Sequence, residues 1–115
     1  MCGIAGTYRW PGGERITDRL TEVVAHRGPD GSGRYRHPVG EHDVQLGHRR
    51  LSIVDLSETG AQPMVRDGLA LTYNGELYNA PELRRELAAA GVSFRGTSDT
   101  EVLLEAWRRW GVQAL

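Results

Sequence analysis

The sequence contains a single cysteine among 115 residues, and that cysteine is the second residue of the chain. One cysteine cannot form a disulfide within the chain, and a reduced thiol is typical of cytoplasmic proteins. No apolar run approaches the ~20 residues that cross a membrane, and we expect no signal peptide before Cys2. The sequence therefore predicts a cytoplasmic protein without a membrane partner.

An excess of charge of one sign is also missing. The 14 Lys and Arg residues against 15 Asp and Glu residues leave a formal net charge of -1. This balance creates no basic field, so we expect no nucleic-acid partner and favour a small molecule instead. The four histidines lack metal-ligand spacing, and we predict no metal site. A hydrophobic share of 39% and a charged share of 25% are ordinary for one globular domain.

Residue periodicity predicts an α+β chain. Apolar alternation bounded by turn residues predicts strands, and helical spacing of apolar residues predicts helices. The predicted strands cover residues 3–10, 32–37, 43–51 and 69–73. The predicted helices cover residues 17–27, 79–91 and 98–110.

Local details of the helices are predicted as well. Thr17 is the expected N-cap of the first helix, which should bury a side containing Leu20, Val23 and Val24. Gly28 suits the left-handed position after that helix. In the third helix, Ser98 begins a capping-box pattern, and Trp107 and Trp110 are expected in the core.

Cys2 is the candidate nucleophile. If Met1 is removed, Cys2 carries a thiol and a free α-amino group on one carbon. Unperturbed α-amino groups titrate near pH 7.7 to 8.0 and thiols near 8.5, so a proton can pass between them at little cost. An N-terminal amine is a known base for a side-chain nucleophile. The alternative is that Cys2 is a small buried hydrophobic residue.

Other polar residues form a possible amino-acid clamp. An arginine such as Arg50 matches a carboxylate in bidentate fashion, and Asp99 or Glu76 complements an ammonium group. Asn74 and the Gly75 N–H together offer the donors of an oxyanion hole. The ordinary alternatives are a surface charge at Arg50 and a simple turn at Asn74 and Gly75.

Six motifs in order resemble the class II glutamine amidotransferases, whose glutaminase domain belongs to the N-terminal-nucleophile hydrolases. Within that group they are most similar to the glutamine-dependent asparagine synthetases, with phosphosugar and phosphoribosyl amidotransferases second. The motifs cover nearly the whole chain. They are CGIAG at Cys2–Gly6, HRGPDGSG at His26–Gly33, GHRRLSIVDLS at Gly47–Ser57, GAQPM at Gly60–Met64, YNGELYN at Tyr73–Asn79 and TSDTE at Thr97–Glu101.

The resemblance implies a role for each matching residue. Cys2 would attack the side-chain amide of L-glutamine, and the Asn74 side chain with the Gly75 N–H would hold the oxyanion. His26 and Arg27 would support the site without taking part in the chemistry. The implied glutamine-binding residues are Arg50 for the α-carboxylate, Asp99 and Glu76 for the α-ammonium group, Asn74 and Gly75 at the amide, and backbone groups of Leu51, Ile53 and Val54.

The resemblance also implies a fold and a larger parent. Residues 1–115 would form the N-terminal portion of a four-layer α/β/β/α glutaminase fold with antiparallel sheets, truncated before its last strands. A synthetase domain, absent from this chain, would bind ATP and Mg²⁺, and no cofactor is expected in this segment. The parent could form a homodimer. The alternatives are a glutaminase domain of another ligase or amidotransferase, and a non-catalytic glutamine-binding module.

Overall fold

A computed structural model describes residues 1–52 and 57–114. Over these ranges the chain forms five strands and three α-helices, with short 3₁₀ turns at Ala25–Arg27, Glu58–Gly60 and Gly111–Ala114. In chain order the elements are β1 (Gly3–Tyr8), α1 (Gly13–Val23), β2 (Gly31–Val39), β3 (His42–Arg50), β4 (Met64–Arg66), β5 (Leu69–Leu71), α2 (Ala80–Ala89) and α3 (Asp99–Trp110).

The strands form two antiparallel sheets. The first has the order β1-β3-β2, and the second pairs β4 with β5. Gly3 pairs with Arg49 and Gly31 with Arg50, so the starts of β1 and β2 lie beside the end of β3. This register carries Cys2 to the residues that follow β3. The α+β class with antiparallel strands is confirmed, and the four-layer arrangement stays a prediction.

Helix α1 begins earlier and buries a different face from the one predicted. It starts at Gly13, so Thr17 lies inside the helix and is not its N-cap. Thr17 and Thr21 are each 1% exposed, whereas Leu20 and Val23 face solvent. The reason is close packing: a β-carbon on Gly47 of β3 would lie 2.1 Å from Thr21 Oγ1. Only a helix face of small side chains can approach the sheet so closely.

Helices α2 and α3 pack against each other around a small apolar core. Leu87 and Val102 are fully buried there, with Ala80 and Ala106 beside them. Trp110 is partly buried against this core, whereas Trp107 is 39% exposed, contrary to the prediction. Residues 102, 106 and 110 share the inward face of α3 because they are four positions apart, and Trp107 lies on another face.

Candidate active site

The predicted site residues that the structure describes line one cavity of about 380 Å³. This volume is within the usual range for a small-molecule site. The cavity lies where the start of β1, the end of β3, the segment after β5 and the first turn of α3 meet. Its wall includes Cys2, Arg50, Leu51, Asn74, Gly75, Glu76 and Asp99. Ile53 and Val54, also predicted, lie outside the described residues.

The sulfur of Cys2 is held against the backbone that follows β3. The Leu51 N–H donates to Cys2 Sγ at 3.3 Å, and the thiol donates to the Leu51 carbonyl oxygen at 3.7 Å. Cys2 is half-buried. These contacts fix the candidate nucleophile at the cavity wall, beside Leu51, the residue that follows Arg50 in the sequence.

The HRGPD motif ties the two strand ends together. Arg27 Nε donates to the Cys2 carbonyl oxygen at 3.1 Å. The Asp30 N–H donates to the Arg50 carbonyl oxygen at 2.9 Å, and Asp30 Oδ2 accepts from the Ser52 N–H at 2.8 Å. Arg27 therefore positions Cys2, and Asp30 positions the residues on both sides of Leu51. Sequence analysis predicted no separate role for Asp30.

Gly28 is needed for a reason other than the one predicted. Its φ of -146° is not left-handed, so the expected C-terminal glycine position is wrong. A β-carbon at Gly28 would lie 2.3 Å from the Arg49 carbonyl oxygen and 2.6 Å from the Arg50 nitrogen. The backbone of the motif therefore touches the backbone of β3 directly, and any side chain would push Arg50 away.

The Asn74-Gly75-Glu76 segment follows β5 and is covered on one side by Tyr73. A β-carbon on Gly75 would lie 2.7 Å from the Tyr73 hydroxyl oxygen. Burial, and then the negative charges of Asp99 and Glu76, raise the pKa of Tyr73. Tyr73 is therefore a neutral hydroxyl beside an acidic corner of the cavity.

The cavity wall carries charge of both signs. Arg50 Nη1 donates to the Ser57 carbonyl oxygen at 2.8 Å, which holds the guanidinium group at the wall. Asp99 Oδ2 accepts from the Leu77 N–H at 2.9 Å, at the start of α3. A cavity with an arginine and two carboxylates in its wall complements a zwitterionic amino acid.

A buried ion-pair network fixes the start of α3. Glu101 is 1% exposed and accepts from Arg66 Nη2 at 2.8 Å and from the Arg95 and Gly96 N–H groups at 2.7 and 2.8 Å. Burial alone would raise the pKa of Glu101, but these hydrogen bonds lower it. Ser98 Oγ caps the helix by accepting from the Glu101 N–H at 3.3 Å, as predicted. These contacts hold the first turn of α3, and with it Asp99, in place.

Within residues 1–52 and 57–114, no helix is long and apolar enough to cross a membrane. No three histidine, cysteine or acidic side chains there gather in a way that would hold a metal ion.

Comparison with known proteins identifies the family of the chain. Residues 1–115 match the family described as the glutamine amidotransferase domain. The chain therefore belongs to that family, which confirms the resemblance.

Similar proteins include two asparagine synthetases and one amidase. The chain is 44% and 40% identical to the glutamine-hydrolysing asparagine synthetases 3 and 1 of Bacillus subtilis, over 96% and 99% of its length. It is 35% identical over 97% of its length to the amidase chry2 of Gibberella zeae. The chain spans only 18% of the length of each of these relatives.

Proposed function

We propose that this domain hydrolyses the side-chain amide of L-glutamine through a thioester on Cys2. The observation that carries the proposal is the convergence of Cys2, Arg50, Asn74, Gly75 and Asp99 on one cavity, although they are up to 97 positions apart in the chain. Family membership supports glutamine as the substrate.

Arg50 would bind the α-carboxylate of glutamine, and Asp99 with Glu76 would bind its α-ammonium group. The side-chain amide would then extend toward Cys2. A substrate held at both charged ends gains the rate advantage of a reaction within one complex.

In the first step, the Cys2 α-amino group accepts the thiol proton and the sulfur attacks the amide carbon. The new oxyanion accepts hydrogen bonds from the Asn74 side chain and the Gly75 N–H. The C–N bond then breaks, and the protonated amine returns its proton to the departing nitrogen, which leaves as ammonia. Water hydrolyses the thioester, which releases glutamate and restores the thiol.

This mechanism requires removal of Met1. Met1 lies at the cavity and is 73% exposed, and while it is present the nitrogen of Cys2 is a peptide nitrogen. A peptide nitrogen cannot accept a proton at neutral pH, so the base appears only after trimming. A reduced thiol nucleophile suits a cytoplasmic location.

The ammonia would serve a second domain. Two relatives are named glutamine-hydrolysing asparagine synthetases. We therefore assign the ammonia to the amidation of aspartate activated by ATP and Mg²⁺ in a synthetase domain of the parent. The match to the amidase chry2 favours a second candidate, in which the same glutaminase domain supplies another acceptor.

The test uses full-length protein. Intact-mass analysis should find a chain that begins at Cys2, and glutamine should give glutamate and ammonia in equal amounts. Cys2→Ala should abolish hydrolysis and keep glutamine binding in calorimetry, because the clamp residues remain. A glutamine analogue with a diazoketone in place of the amide should add to Cys2.

Three outcomes separate the alternatives. Full activity in protein that retains Met1 would contradict the role of the α-amino group. Glutamine binding without glutamate release would identify a non-catalytic module. Glutamate release without asparagine formation in the presence of aspartate, ATP and Mg²⁺ would favour another acceptor.

A further inference from the structure

Gln62, in the GAQPM motif, joins two parts of the site that are distant in sequence. Its Oε1 accepts from the Tyr73 N–H at 2.6 Å, and its Nε2 donates to Thr100 Oγ1 at 2.9 Å. Tyr73 precedes Asn74, and Thr100 follows Asp99. One amide side chain therefore connects the segment that carries the oxyanion donors with the helix start that carries the ammonium-binding carboxylate.

The chemistry of the two partners determines how this amide is oriented. A backbone N–H can only donate, so the oxygen of Gln62 must face Tyr73 and its NH₂ group must face Thr100. Thr100 is 4% exposed, so water could not easily replace the Gln62 amide as a hydrogen-bond partner of its hydroxyl group. A side chain of equal length without both a donor and an acceptor cannot make this bridge.

The backbone of Gln62 is anchored as well. A β-carbon on Gly33 of β2 would lie 1.8 Å from the Gln62 carbonyl oxygen, so the two backbones are in direct contact. The bridge therefore starts from a point fixed on the first sheet.

Another hydrogen bond holds the C-terminal end of the segment that carries the oxyanion donors, residues 74–76. Asp99 Oδ2 accepts from the Leu77 N–H at 2.9 Å. Residues 74–76 thus lie between two cross-links, one through Gln62 and one through Asp99. We propose that Gln62 is a positioning residue that holds the oxyanion donors at a set distance from the ammonium-binding carboxylate. This inference rests on the proposed glutaminase function.

The experiment compares four variants in full-length protein. Gln62→Met keeps the length of the side chain and removes both hydrogen bonds, and Gln113→Met makes the same change at an exposed glutamine. Thr100→Val cuts the bridge at one end, and Thr100→Ser keeps the hydroxyl. Hydrogen exchange at the Tyr73 amide is measured without glutamine, and kcat and KM for glutamine are measured separately.

We expect Gln62→Met to raise the exchange rate at Tyr73 by at least about 10-fold and to lower kcat by about 10- to 100-fold, because small displacements of reacting groups cost that much. Thr100→Val should lower kcat less, Thr100→Ser should restore most of it, and Gln113→Met should match the wild type. The double variant Gln62→Met/Thr100→Val should be no slower than Gln62→Met, because both changes break one bridge.

Unchanged exchange at Tyr73 in Gln62→Met would overturn the bridge, whether or not the protein hydrolyses glutamine. Faster exchange with an unchanged kcat would overturn the positioning role. A wild-type protein that releases no glutamate would refute the proposed function itself, and with it any role of Gln62 in positioning catalytic groups, while the exchange result would still decide whether the bridge exists.

Discussion

Gly75 lies against the hydroxyl end of the Tyr73 side chain: a β-carbon on Gly75 would be 2.7 Å from the Tyr73 hydroxyl oxygen and 2.9 Å from the ring carbon that bears it. Normal carbon contacts need about 3.5 Å or more. Gly75→Ala must therefore move either the Tyr73 ring or the Gly75 N–H. The N–H is the proposed oxyanion donor.

We expect Gly75→Ala to lower kcat for glutamine hydrolysis by about 10²-fold, which is typical for loss of one oxyanion donor. Gly31→Ala is the matched control, because its β-carbon would meet only Arg50 Cβ at 3.8 Å. Steady-state kinetics of both variants make the comparison. A Gly75→Ala protein as fast as Gly31→Ala would remove the Gly75 N–H from the oxyanion hole.

Arg50→Lys should weaken the use of glutamine. A lysine is a point charge and cannot reproduce the two parallel hydrogen bonds of a guanidinium group with a carboxylate. Charged hydrogen bonds contribute about 1.5 to 3 kcal/mol, so KM should rise about 10- to 100-fold. Activity with added ammonia should persist, since ammonia bypasses this cavity.

The control for that experiment is Arg49→Lys. Arg49 is the preceding residue of β3, and successive side chains of a strand point to opposite faces. The Arg49→Lys substitution should therefore have little effect on the KM for glutamine. Equal loss of glutamine- and ammonia-dependent activity in Arg50→Lys would indicate a folding defect and would remove Arg50 from the clamp.

The buried carboxylate of Glu101 should be important for stability. Arg66 and Glu101 have side chains only 11% and 1% exposed, and Arg66 also pairs with Glu105. Glu101→Gln leaves Arg66 paired with Glu105, so its main cost is the charged hydrogen bond from Arg66 Nη2, which contributes about 1.5 to 3 kcal/mol. We expect Glu101→Gln to lower the free energy of unfolding by that amount in denaturant titrations.

Asp18→Asn provides the comparison for Glu101→Gln. The Arg34–Asp18 pair has side chains 38% and 52% exposed, and exposed pairs contribute about 0 to 1 kcal/mol. If both variants lost the same stability, the network around Glu101 would be no more important than a surface ion pair.

His48 should make the fold sensitive to mild acid. His48 is 1% exposed, and its Nδ1 is hydrogen-bonded to Thr72 Oγ1 at 2.9 Å. Burial, and then the charge of Arg50, lower the pKa of His48 from the ordinary 6.5 to about 4. Between these values the unfolded chain binds a proton that the folded chain does not, so stability falls as the pH falls.

The shift in the His48 pKa corresponds to a loss of up to about 3 kcal/mol between pH 6.5 and pH 4. Unfolding titrations across this window should show it. His48→Gln should flatten the pH dependence, even if its stability at neutral pH is lower, and the exposed His37→Gln should retain it. The same slope in His48→Gln as in the wild type would contradict the assignment.

The sequence by itself was sufficient for features that depend on local pattern. Alternation predicted β3, and helical spacing predicted α2. Cys2 and the Asn74-Gly75 pair were recognised as chemical candidates by residue type and position alone. Their motifs led to the family that the comparison confirmed, and their individual roles remain predictions.

Only the tertiary structure decided which helix faces are buried and which residues that are distant in sequence come into contact. Thr21 is buried in place of Leu20 because Gly47 lets the helix approach the sheet. Gly28 must lack a side chain because a carbonyl group 21 positions later touches it. In the sequence Gln62 is indistinguishable from other loop glutamines, and its role is visible only in the fold, where its amide group is hydrogen-bonded to Tyr73 and Thr100. Each of these facts depends on contacts between residues far apart in the chain, and local periodicity contains no information about such contacts.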